Sequence, residues 1–138
     1  MDNLMFEKIW QDGNLMELRI TGISEYARVY QNCYIEDSAL QEAGKPISEY
    51  TYNRNRECYV EFGNKEGNFT PAFSMKILPA EPTGHMKLEL DFEIADNDTR
   101  GHRACFYIRG KLGLLDSFGK AIQSMGEGKT EACALHSK

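Results

Sequence analysis

The clearest alternation of apolar and polar positions in this chain runs from Met86 to Ile94. Met86, Leu88, Leu90, Phe92 and Ile94 fall on one side, and Lys87, Glu89, Asp91 and Glu93 on the other. An unbroken period of two predicts a strand that is buried on one face and wet on the other. Cys105–Ile108 is more uniformly apolar, as in a strand nearer the middle of a core. The polar stretch Asp96–Gly101 between them predicts an antiparallel hairpin. Leu115, Phe118, Ile122 and Met125 then recur at spacings of 3, 4 and 3, which sets them on one helical stripe.

Upstream, Phe6–Gln11 and Leu15–Ile20 read as two strands joined at Asp12-Gly13-Asn14, a turn whose residues tolerate positive φ. Ala27–Ile35, Cys58–Phe62 and Ala72–Leu78 have the aromatic, β-branched or alternating character of further strands. Asp37-Ser38 reads as a cap for a short helix near 38–43, stopped by Gly44-Lys45-Pro46. Ile47–Tyr52 is expected to be short and extended or irregular. Residues 126–138 have no periodicity and are expected to form a flexible tail. The expectation is an α+β fold in a single domain over 1–125. It is mainly an antiparallel sheet or sandwich of about seven strands, with a C-terminal amphipathic helix.

Composition narrows the class. At 138 residues with 41% hydrophobic and 27% charged side chains, the chain is globular and able to close a core without metal or disulfides. The four cysteines, Cys33, Cys58, Cys105 and Cys133, form no CxxC pair, which fits free thiols in a reducing cytoplasm. The amino terminus lacks the apolar stretch of a signal peptide, and no run is apolar enough for a membrane span. The net charge of −5 disfavours direct contact with nucleic acid, which needs a cationic footprint, and suits a basic protein partner.

Most sequence patterns with chemical associations fail in detail. Gly113–Ala121 has one residue too many for a phosphate loop, and Gly128-Lys129-Thr130 has Gln123 where the first glycine belongs. The calcium-like start at Asp96 meets Arg100 at the fifth position and Tyr107 at the twelfth. His85 and His102 flank the two hairpin strands and could approach at one end, but no spacing supplies a third metal ligand, and a structural or solvent-exposed role is expected. No cofactor, metal site or catalytic group is expected. Trp10 and the tyrosines Tyr26, Tyr30, Tyr34, Tyr50, Tyr52 and Tyr59 either fill a core or, if exposed together, mark a protein-binding surface. The row Glu89, Asp91, Glu93 has two readings as well. It is a solvated strand face with cross-strand Lys/Arg partners, or an anionic platform, extended by Asp96 and Asp98, that docks a basic protein.

Three segments, FEKIWQDGNLMELRI, GHMKLELDFE and HRACFYIRGKLGLLDSFGKAI, together resemble small bacterial immunity proteins of polymorphic toxin systems, the WapI-type immunity group. Gly110-Lys111 departs from the polar or acidic pair that the group's pattern places before the last helix. The resemblance implies a non-enzymatic cytoplasmic protein that binds and blocks a cognate toxin, through a surface that differs from member to member. The alternative is a phage- or host-encoded inhibitor or adaptor that binds another protein machine. A small-molecule-binding or enzymatic domain is a third reading, distinguished by a concave pocket with converging polar groups.

Overall fold

A computed structural model describes residues 2–52, 56–62, 72–97 and 100–136, with the backbone alone at 51, 94–97 and 100. Strands β1 (Asn3–Asp12), β2 (Leu15–Ile23) and β3 (Arg28–Glu36) form a meander that passes directly into α1 (Asp37–Glu49). After a 3₁₀ turn at Tyr50–Tyr52 come β4 (Cys58–Phe62), β5 (Ala72–Ile77), β6 (His85–Asn97) and β7 (Arg100–Lys111). Strand β7 passes directly into α2 (Leu112–Gly126), and β8 (Ala132–His136) follows. There are two antiparallel sheets of four strands, ordered β3-β2-β1-β8 and β4-β5-β6-β7. The fold is α+β, with eight strands among the described residues.

The alternating strand is β6, and Met86, Leu88, Leu90 and Phe92 are fully buried on its inner face. The inner faces of both sheets and the apolar stripe of α2 share one core. Phe6 of β1 is its junction, with edge-on contacts to Phe62 of β4, Phe73 of β5 and Phe118 of α2 at centroid distances of 4.9, 6.0 and 5.6 Å. Gly22 of β2 carries no side chain where Leu90 and Phe92 of β6 press onto the backbone, so the two sheets meet there.

The helix α1 corrects the expected stop at Gly44-Lys45-Pro46, and also the extended reading of Ile47–Tyr52. It runs through all three residues to Glu49, burying Leu40, Ala43, Gly44, Ile47 and Ser48. Gly44 serves packing there. A Cβ on it would lie 2.5 Å from the Gly119 carbonyl oxygen of α2, and one on Gly119 would lie 2.5 Å from the Ser48 nitrogen. Gly126 at the end of α2 lies against Asp37 and Gln41 at the start of α1, so the helices run in opposite directions. Pro46 forfeits one helical hydrogen bond, and burial of the inner face of α1 offsets that loss.

Residues 126–136 of the expected tail also differ from expectation, and 137–138 lie outside the described residues. Lys129 N–H bonds the Ser124 carbonyl at 2.9 Å and Gly128 N–H that of Met125 at 3.1 Å, with Gly128 at φ 79°. This is a Schellman cap. The Gly128-Lys129-Thr130 triplet therefore ends a helix and reverses the chain, which returns as β8 to pair with β1 from Asn3↔His136 to Glu7↔Ala132. The expected tail is an edge strand, with Leu135 in the core and Cys133 Sγ 3.5 Å from Met125 Sδ.

Two measurements check these features. Gly119→Ala should lower stability to urea by about 1–3 kcal/mol because the added methyl meets backbone. Gly113→Ala on the same helix, where a Cβ meets nothing within 4 Å, should raise stability by about 0.5 kcal/mol. Equal effects would mean that the helices do not touch. Burial pushes the thiols of Cys33 and Cys133 up to about 12, so both are protonated and shielded near neutrality. A thiol reagent should therefore label exposed Cys105 first and reach Cys133 only on unfolding; early labelling of Cys133 would detach β8.

Candidate protein-binding surfaces

The predicted acidic row lies on the outer face of the second sheet, where the register sets its neighbours. Glu89 stands between Lys76 and Tyr107, Asp91 between Ser74 and Cys105, and Glu93 between Ala72 and Arg103. Asp91 is only 8% exposed. The Arg103 guanidinium grips it from Nε to Oδ1 at 3.3 Å and from its terminal nitrogen to Oδ2 at 2.8 Å. Tyr107 donates its hydroxyl to Glu89 at 2.7 Å, and that bond to a carboxylate raises the phenol pKa. Tyr59 likewise donates to Glu61 at 2.6 Å; its pKa is raised first by desolvation and then by that bond. Asp98 lies outside the described residues, and of Asp96 only the backbone near the end of β6 is described. The face is thus one of alternating charge. Asp91 is held as a structural ion pair, and Glu89 and Glu93 remain half-exposed.

The outer face of the first sheet is chemically different. Inward-facing Phe6 and Lys8 would put Trp10 inside by simple alternation. A β-bulge between Lys8 and Trp10 shifts the register by one residue and sets Trp10 opposite Glu17, on the solvent side. Glu17 is in turn opposite Tyr34 of β3. The Trp10 and Tyr34 rings meet edge to face, with centroids 6.3 Å apart and an interplanar angle of 86°. In the next outward-facing row Arg19 lies between Glu7 and Asn32. Its guanidinium sits 5.4 Å over the Tyr30 ring and donates to Asn32 Oδ1 at 3.2 Å. Trp10, Tyr34 and Tyr30 are 44%, 46% and 59% exposed, and Tyr26 in the β2–β3 turn is 90% exposed. The sequence leaves these aromatics divided between core and surface, and for Trp10 it is the bulge that decides.

Tyr50 goes the other way. It is buried and donates its hydroxyl to the Leu78 carbonyl. Beside it a cleft of about 310 Å³ is lined by Pro46, Glu49, Tyr50, Arg56, Glu57, Cys58 and Tyr59. The Cys58 thiol points to the Pro46 carbonyl at 3.7 Å, and burial raises its pKa, so it is a protonated packing group and a poor nucleophile. The histidines do not converge. His85 is opposite Lys111 and His102 opposite Ile94, at far ends of the β6–β7 hairpin. An antiparallel pair starts its two strands at opposite ends, which separates residues placed just inside each start. Among the described residues no three His, Cys, Asp or Glu side chains are gathered for a metal ion, and no helix is long and apolar enough to cross a membrane.

In comparisons with protein-family profiles, with characterised proteins and with solved structures, nothing matches this chain.

Proposed function

We propose that this protein is a non-enzymatic inhibitor of the immunity type, which binds a cognate bacterial toxin with a basic surface in the cytoplasm and neutralises it by occlusion. One observation carries the reading. The core closes on Phe6, Phe62, Phe73, Phe92 and Phe118, yet Trp10, Tyr26, Tyr30, Tyr34, Tyr52, Tyr59 and Tyr107 all stand 44% or more exposed. These aromatic side chains are surplus to folding. Tryptophan and tyrosine are the residues that most often anchor protein interfaces, each worth on the order of 2 kcal/mol when desolvated in a pocket of the partner. The net charge of −5 adds attraction to a basic surface, which chiefly speeds and orients association.

The test is co-expression with the C-terminal region of the large protein encoded beside this gene. Growth should arrest without this chain and recover with it, and a pull-down should return both proteins in equal amounts. Rescue by a small fraction of an equivalent would contradict occlusion and point to turnover. A toxic neighbour that this chain, soluble and abundant, neither binds nor relieves would sink the pairing.

A further inference from the structure

We propose that the outer face of β1–β2–β3 is the recognition surface of this protein, and that its occupant is a basic protein surface presenting arginine side chains. The proposal rests on the protein-binding reading above and adds to it a location and a partner chemistry.

The two sheet faces differ in how far their charge is already spent. On the second sheet the outward carboxylates Glu61, Glu89, Asp91 and Glu93 share the face with Lys76, Lys87, Arg103 and Arg109, and Arg103 holds Asp91 at 2.8 Å, so acid and base balance there. On the first, Glu7, Asp12, Glu17 and Glu36 face outward and make no ion pair among the described residues. Against these four carboxylates the same face sets Arg19 and, at its far end, Arg28. It therefore has a surplus of negative charge, interleaved with rings that are already exposed.

Geometry specifies the complementary group. Glu17 stands between Trp10 and Tyr34 in register, and the two rings meet edge to face across that row, so one carboxylate and two exposed rings share it. A planar cation fits that arrangement, because guanidinium stacks on a ring and still hydrogen-bonds a carboxylate at its edge. The face contains an internal example one row on: Arg19 lies over Tyr30 and bonds Asn32. Lysine carries the same charge without the planar stack and fits less well. From the row of Asp12 and Glu36 to that of Tyr30 is six residues along β3, about 20 Å. That suits the centre of an interface of ordinary size. The bulge that turns Trp10 outward is the device that completes the surface, and bulges commonly re-aim a side chain at such places.

Trp10 is the only tryptophan in the chain, so its fluorescence reports on this face. The full chain would be titrated with oligoarginine, oligolysine and oligoglutamate peptides of equal length. Oligoarginine should change Trp10 emission saturably and bind more tightly than oligolysine, with oligoglutamate inert. Raising the salt to about 0.3 M should weaken binding by roughly tenfold, since exposed charges are then screened. Glu17→Lys with Glu36→Lys should abolish the response, while Glu89→Lys with Glu93→Lys should leave it intact; thermal melts confirm that both variants fold. No saturable response to oligoarginine, or loss only in the β6 variant, would overturn the proposal. So would an emission change with protein concentration alone, accompanied by a dimer in sedimentation, because the face would then belong to a second copy. Co-expression separates this from the function. A Glu17→Lys, Glu36→Lys variant that has lost the peptide but still rescues growth would remove the face and leave the immunity reading standing. Wild type that binds peptide but rescues nothing would do the reverse.

Discussion

The close approach of α1 and α2 constrains everything else in this molecule. Gly44 and Gly119 bring the two helical backbones into direct contact, and Gly126 does the same against Asp37 at the other end. Glycine in a helix costs about 0.5–1 kcal/mol relative to alanine, so each position needs an offsetting gain, which here is van der Waals contact along the crossing. The contact matters beyond the helices because neither is free to move on a loop. Glu36 of β3 is followed at once by Asp37 of α1, and Lys111 of β7 by Leu112 of α2. Fixing the helix pair therefore fixes where each four-stranded sheet ends and how the two inner faces meet around Phe6.

This connection also exposes a correspondence between the halves. Strands β4-β5-β6-β7 lead into α2, and β8-β1-β2-β3 lead into α1, each as four antiparallel neighbours followed by a helix. The set β8-β1-β2-β3 takes its outer strand, β8, from the far end of the chain, across the Gly128 cap. A repeat divided in this way between the two termini has no continuous period along the sequence, and none is visible there.

What could be read from the residues follows the range of the forces involved. The β6 alternation and the α2 stripe are properties of neighbours within one element, and both stand as expected. The β7 run is a strand, but its expected place nearer the middle of the core is corrected: it is the edge of its sheet, with Cys105 and Tyr107 exposed on the outer face. Helix α1 was half-read, since Gly44 and Pro46 are local stop signals and what overrides them is a packed partner about seventy-five residues away. Strand β8 was missed because only Cys133 and Leu135 of its five residues point inward, too few to show a period. For the acidic row, one strand reveals which carboxylates share a face, but their partners Arg103 and Tyr107 come from the next strand and from its register. Trp10 fails for a related reason: one unpaired residue in a bulge reverses the side on which every later residue stands.

The separation between what holds the fold and what faces the solvent has a consequence for how such a protein tolerates change. Tyr50 is a folding residue, buried and bonded to the Leu78 carbonyl, and its loss would remove that bond. Tyr34 and Tyr30 stand on strand positions whose backbone bonds to β2 do not involve their side chains. Exchanges at such positions stay within about 1 kcal/mol of sheet propensity. The outer face of the first sheet can thus be recut while the helix contact and the phenylalanine core stay untouched. The frame and the surface can therefore vary independently, and the bulge between Lys8 and Trp10 places the largest of those surface side chains on the freely variable side.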